Sequence, residues 1–158
     1  MAVPRHRVCK SFTVESGHML SKHPERCRFP HGHTRKIEVV VSSTALDGYD
    51  MVIDFKALRL AVEAHIERYD HAMAVNSADP LLPEIRRVHP ESAIVFEDAD
   101  PTTEVIAKEI YDHVARVLHE GFVHTAESGA RYEIRPDSVT LERVRVWETP
   151  TSWAEYGE

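Results

Sequence analysis

Two histidines stand two apart in the run Cys27-Arg28-Phe29-Pro30-His31-Gly32-His33, with a cysteine four residues before the first. In an extended chain, side chains at i and i+2 point to the same face. His31 and His33 can therefore aim at one point, and such a pair on a strand is a two-ligand clamp for a borderline-soft metal such as zinc. Gly32 between them lets backbone or ligand come close, and Pro30 suits a strand's entry, where its missing N–H costs little. The plain alternative is a surface pair in a loop, since eleven of 158 residues are histidine and some pairing arises by chance.

The residues that follow favour the metal. From His31 the odd positions read His31, His33, Arg35, Ile37, Val39 and Val41; the even ones read Gly32, Thr34, Lys36, Glu38, Val40 and Ser42. The histidines share the face that a half-buried strand turns to the core. A polar ring there needs a partner, because burying it unpaired costs a few kcal/mol, and a metal supplies one. Upstream, Arg7 to His18 alternates as well, with Val8, Phe12, Val14, Ser16 and His18 on one face and Lys10 interrupting it. His18 ends that strand on its apolar side. Antiparallel pairing with Thr34 to Ser42 brings it near the pair, as a third candidate ligand.

Other groups suit proton transfer or ligand anchoring. Asp70-His71 is either a polar helix terminus or a carboxylate–imidazole pair held at a rigid end, useful near neutral pH. Glu148 falls in phase with Val144 and Val146, which makes it a buried ion pair, a ligand anchor or an exposed strand end. Cys27, so near His31, is either a fourth zinc ligand closing a structural site or an acid/base beside an open one.

The elements that must position these groups follow from pattern. The polar, turn-like stretch Met19 to Pro30 joins the first two strands and reads as a functional loop, with His23 a solvated residue. After a turn at Asp47-Gly48 and a short extended piece, Met51 to Phe55, Asp54 is a helix N-cap. Phe55, Leu58, Val62, Ile66 and Tyr69 then follow at helical spacing, so 54–69 is an amphipathic helix. Residues 76–100 form a proline-punctuated connection with a short strand at Ala93 to Phe96. Asp100 and Pro101 read as N-cap and first helical residue. Ile106, Ile110, Val114 and Val117 mark one face of a helix over 101–120, and Gly121 stops it. Residues 124–137 show little periodic signal. Ser138 to Thr149 is a strand whose phase slips near Glu142-Arg143, as at a bulge, and Ser152 to Tyr156 is the last strand. Strand, strand, helix, helix, strand, strand is an α+β order, an antiparallel sheet with helices on one face.

Composition bounds the function. A length of 158 residues suits one domain spanning 1–158, enough to bury a core. Hydrophobic residues are 42% and charged ones 28%, as expected of a globular protein rather than a disordered one. A net charge of −7 argues against nucleic acid as partner. Two cysteines, Cys9 and Cys27, make no disulfide framework, so a reducing cytoplasm is expected. No apolar run approaches membrane-spanning length, and the basic N-terminus is followed by no signal-peptide core.

Six motifs in order carry a resemblance: Phe12-Thr-Val-Glu-Ser-Gly-His18, Cys27-x-x-x-His31-Gly-His33, Met51-Val-Ile-Asp-Phe55, Tyr69-Asp70-His71, Pro101-Thr-Thr-Glu104 and Val146-Trp-Glu148-Thr149. Together they resemble the 6-pyruvoyl-tetrahydropterin synthase / 6-carboxy-tetrahydropterin synthase family, over nearly the whole chain except the tails, 76–99 and 123–137. The resemblance implies the tunnelling fold: a four-stranded antiparallel sheet with two helices on one face, three sheets closing a barrel and two trimers stacking into a homohexamer. Closure would also remove the open edges of a lone sheet. It further implies zinc on His18, His31 and His33, a proton-transfer triad of Cys27, Asp70 and His71, and Glu148 as the anchor of the pterin ring. Thr102, Thr103 and Glu104 match a motif near the pterin pocket. The implied substrate is 7,8-dihydroneopterin triphosphate. The three-residue gap between Cys27 and His31 resembles the bacterial carboxy type, whose product is 6-carboxytetrahydropterin with release of triphosphate and acetaldehyde, on the way to queuosine. The pyruvoyl type, which eliminates triphosphate only, and a non-catalytic zinc scaffold are the competing readings. Gly17-His18-Met19 departs from the family's usual sequence, and the long 76–99 connection would reshape the pocket entrance.

Overall fold

Two long alternating stretches build the centre of the sheet. The computed structural model describes residues 3–158. In chain order its main elements are β1 (His6–His18), β2 (His31–Ser43), α1 (Phe55–Glu67), β3 (Met73–Asn76), α2 (Leu82–Val88), β4 (Ala93–Phe96), α3 (Thr103–Glu120), β5 (Phe122–Thr125), β6 (Arg131–Ile134), β7 (Thr140–Thr149) and β8 (Ser152–Gly157). β1 and β2 pair antiparallel over their whole length, with His18 opposite His31, Ser16 opposite His33 and Val14 opposite Arg35. Gly32 is needed at this pairing, since a Cβ there would sit 3.2 Å from the Ser16 carbonyl oxygen.

The expected four-stranded antiparallel sheet is the part made by β1, β2, β7 and β8. It is larger than expected: β3 and β4 extend it, both parallel, to six strands in the order β4-β3-β1-β2-β7-β8. Every residue of β3 after Met73 is buried, and a strand buried on both faces shows no alternation to read. The phase slip in β7 is a bulge: Val40 faces Arg143 while Val41 faces Leu141, leaving Glu142 over. The bulge returns both Leu141 and Val144 to the core.

One face of the sheet carries the apolar core. Val14, Ile37, Val39, Val41, Val144 and Val146 pack against Leu58, Val62 and Ile66 of α1 and Ile106, Ile110 and Val114 of α3. Asp54 caps α1 as expected, its Oδ1 accepting from the backbone N–H of Lys56 and Ala57 at 2.7 and 3.1 Å. Phe55 departs from the expected face and is half exposed.

The start of α3 also differs. Thr102 is its N-cap, with Oγ1 accepting from Val105 N–H at 3.3 Å. Asp100 cannot cap because its carboxylate is engaged elsewhere, by Lys22 N–H at 2.8 Å and Asn76 Nδ2 at 2.9 Å. Leu118 rather than Val117 completes the buried face. Gly121 ends the helix with a φ of +82°, as its predicted stop requires. Residues 124–137, which show little pattern, hold most of a small hairpin, β5–β6, with Phe122 opposite Ile134. Among the described residues no helix is long and apolar enough to cross a membrane.

Candidate metal and active site

The β1–β2 register carries His18, His31 and His33 to one end of the sheet. One nitrogen from each ring lies within 4.8 Å of the others. Two of the rings are oriented by backbone carbonyls. His18 Nδ1 lies 2.8 Å from the Pro101 oxygen and His31 Nδ1 lies 2.7 Å from the Phe29 oxygen. An imidazole can only donate to a carbonyl, so both carry their proton on Nδ1 and leave Nε2 as a lone pair. His33 Nε2 is buried with no hydrogen-bond partner. Glu148 Oε1 lies 3.2 Å from it, but not in hydrogen-bond geometry. Three imidazoles with free nitrogens, one of them orphaned, and no fourth protein ligand among the described residues make a donor set that could hold a metal ion with an open position. The residues fit the metal.

Burial also favours the neutral form of His18 and His33, the state a metal needs. It pushes His18, fully buried, from its ordinary 6.5 to about 4, with the charge of Arg35 adding to the effect and the Pro101 carbonyl opposing it. His33 is lowered for the same first reason, then by Arg35. In the metal-free protein this has a signed consequence. Between pH 6.5 and about 4 the unfolded chain takes up a proton that native His18 refuses. Stability is therefore full above pH 6.5 and falls as the pH drops toward 4, by roughly 2–3 kcal/mol for a shift of this size. Urea midpoints of the apo-protein across this range should show the decline, with a shallower slope in His18→Gln; parallel slopes would remove His18 as its source.

Asp70 and His71 are brought together as the sequence suggests. The chain leaves α1 through a turn, and His71 takes a φ of +56°. Its N–H donates to Glu15 O at 2.6 Å, while Asp70 Oδ1 accepts from Glu15 N–H at 2.8 Å. These bonds clip the pair to β1. Asp70 Oδ2 lies 2.8 Å from His71 Nδ1, so the ring donates there and keeps its Nε2 lone pair free. The Glu15 N–H, and after it His71, hold the Asp70 carboxyl below its usual range. His31, His33 and His71 line one cavity of about 740 Å³, together with Gly17, Met73 and His89. His89 belongs to the long 76–100 connection and carries no sequence signal beyond being a histidine. Another cavity, of about 700 Å³, lies at the far end of β2 and has no histidine or cysteine in its wall.

Cys27 sits in a single helical turn, Arg26–Arg28, on the loop after β1. It lies outside the histidine cluster, and among the described residues its sulfur makes no hydrogen bond. The loop that carries it is fastened at several points. Leu20 N–H donates to Cys27 O at 2.9 Å, Ser21 Oγ to Asp79 at 2.6 Å and Lys22 N–H to Asp100 at 2.8 Å. The poorly patterned 76–100 connection thus holds the cysteine loop.

Glu148 is partly exposed and stands beside His33. Burial works to raise its carboxyl, but a hydrogen bond from Thr103 and the nearby charge of Arg35 outweigh that and leave it below the usual range. Thr103 is buried at the start of α3, one residue past the cap Thr102. Arg35, which sequence reading assigned no role, is fully buried between His18 and Thr103. Its signal was present: it lies in phase with His31, His33 and the core valines.

Residues 7–158 match the family model described as 6-pyruvoyl tetrahydropterin synthase. A 6-carboxy-5,6,7,8-tetrahydropterin synthase of Aquifex aeolicus is 31% identical over 169 residues, covering 96% of this chain and 97% of its own length. One of the same name from Haemophilus influenzae is 26% identical over 159 residues, covering 96% and 99%. Among solved structures, an uncharacterized protein from Wolinella succinogenes superposes with a TM-score of 0.72 at 23% identity, covering 98% of this chain and 99% of its own. The 6-pyruvoyl tetrahydropterin synthase of Caenorhabditis elegans gives 0.63 at 16% identity, covering 100% and 99%. At these identities the structural likeness shows the fold.

Proposed function

Because the chain belongs to the 6-pyruvoyl tetrahydropterin synthase family and has its tunnelling fold, we propose that it is a zinc-dependent lyase. In this reading it converts 7,8-dihydroneopterin triphosphate to 6-carboxy-5,6,7,8-tetrahydropterin, releasing triphosphate and acetaldehyde, in the cytoplasm and on the way to queuosine. The observation that carries the reading is the cluster of three histidines, two of them oriented by backbone carbonyls, of which His31 and His33 line a cavity that also presents His71. The names of the full-length relatives from Aquifex aeolicus and Haemophilus influenzae support the carboxy product.

His18, His31 and His33 hold the metal. Zinc, when bound, polarises the side-chain hydroxyls of the substrate and lowers the barrier to proton removal. His71, its tautomer set by Asp70, offers Nε2 as the base, and Cys27 is the second proton-transfer group. Glu148 accepts the adjacent ring N–H and amino group of the pterin. Thr103 orients Glu148, and Thr102 starts the helix that places Thr103. The single domain of residues 1–158 works as a homo-oligomer, a hexamer of two trimers: the sheet ends in two open edges, β4 and β8, which pairing with further copies would cover.

Incubating the zinc-loaded protein with 7,8-dihydroneopterin triphosphate tests the reading. Formation of 6-carboxytetrahydropterin and acetaldehyde, identified by mass, is the expected result. A pyruvoyl product without acetaldehyde would assign the elimination reaction that the matching family model is named for. No turnover at all would leave a zinc-binding scaffold.

A further inference from the structure

Arg35 has no accessible surface, and among the described residues no carboxylate lies within ion-pair distance of it. Its Nε is buried without a partner. A buried cation held this way does not stabilise a fold: an apolar side chain of similar volume there is often neutral or better. Its contacts indicate what it does instead.

Arg35 Nη1 donates to Thr103 Oγ1 at 3.0 Å. Nη2 lies 3.2 Å from His18 Nδ1 and 3.3 Å from His18 Nε2. A donor nearly equidistant from both ring nitrogens cannot approach in the ring plane, because the carbon between them is in the way. Nη2 therefore lies over the His18 face, and the His18 lone pair stays available. Thr103 Oγ1 is also hydrogen-bonded to Glu148 Oε2.

The direction of this chain follows from proton counting. A guanidinium has donors only, and a threonine hydroxyl has one proton. Thr103 must accept from Arg35, so its own proton points at Glu148. Oε2 is thereby used as an acceptor and the carboxylate is fixed in rotation, with Oε1 and the remaining lone pairs left to a ligand. Without Arg35 the Thr103 hydroxyl loses the donor that holds it in place, and Glu148 loses a fixed partner.

We infer that Arg35 is a positioning residue which, through Thr103, holds Glu148 in one orientation. Held in one rotation, Glu148 meets two adjacent N–H donors, the edge of a 2-amino-4-oxopyrimidine ring, without first having to be ordered. The inference rests on the pterin reading of Glu148 and adds the groups that order it.

The test uses zinc-loaded protein and neopterin as probe, with affinity read by calorimetry, alongside zinc content and Tm. Arg35→Met and Thr103→Val each weaken neopterin binding roughly 5- to 100-fold, the range for a disrupted buried hydrogen bond. The double variant binds no more weakly than the worse single one, because both break one relay. Thr103→Ser restores most of the affinity. Zinc content holds, and the Tm of Arg35→Met is unchanged or higher, which a purely structural arginine would not give. Glu148→Gln separates the two readings. If it leaves neopterin affinity unchanged, the anchor itself is wrong. If it weakens binding while folded Arg35→Met and Thr103→Val bind like the parent, the relay is overturned. Additive losses in the double variant also overturn it. Should Arg35→Met fail to fold, Thr103→Val decides alone: parental affinity sinks the relay, and a loss reversed by Ser upholds it.

Discussion

Replacing His31 with alanine should strip the protein of zinc and take turnover to background. The parent is expected to hold about one zinc per chain on His18, His31 and His33. His31 contributes one of three clustered nitrogens, and the Phe29 carbonyl already holds its ring in place. Losing an outer partner of a metal ligand costs roughly 10–100-fold in affinity, so losing the ligand itself should exceed 100-fold. The ring is only partly buried at a strand end, and the core lies elsewhere, so the metal-free variant should melt close to the metal-free parent. Metal analysis after dialysis gives the answer. Full zinc occupancy in His31→Ala would remove His31 from the ligand set and leave the cluster without a function.

The next largest effect is expected at Cys27, and it separates an enzyme from a scaffold. Were Cys27 a fourth ligand, the site would be closed and structural, and Cys27→Ala would loosen the zinc and lower the Tm. The structure places Cys27 outside the histidine cluster, on a loop tied down through Leu20, Ser21 and Lys22. None of those bonds uses the thiol. Zinc content and melting should therefore survive in Cys27→Ala, while turnover falls about 10²–10⁴-fold, the usual range for a lost acid/base. Zinc loss with unfolding would show a structural ligand. Retained zinc with undiminished lyase activity would take Cys27 out of the chemistry.

Both expectations depend on a site whose parts were unequally legible in the chain. The histidine cluster was legible because strand alternation is local: His18, His31 and His33 each fall in phase with apolar neighbours, and the period-2 rule then puts them on one face. The Glu142 slip, the Asp54 cap and the Gly121 stop were readable for the same reason, since each concerns a chain segment and its immediate neighbours. Asp70 and His71 are adjacent in sequence, so their pairing needed only a turn.

Tertiary structure decided the rest. Asp100 carries the signature of a helix cap, yet its carboxylate serves Lys22 and Asn76, and Thr102 caps instead. Local propensity cannot show a competing partner 78 residues away. β3 and α2 are short, and a strand buried on both faces has no alternation, so no pattern announced β3; the strand expected at Ala93 to Phe96 joins the sheet as β4 only through it. His89 reaches the cavity only because the 76–100 connection folds over its rim. Arg35 is the sharpest case. By itself the sequence determined that an arginine shares the face of the metal histidines and the core valines. Only tertiary packing decided that it meets Thr103, and through it Glu148, because a chain of hydrogen bonds is a property of three groups brought together from distant parts of the sequence.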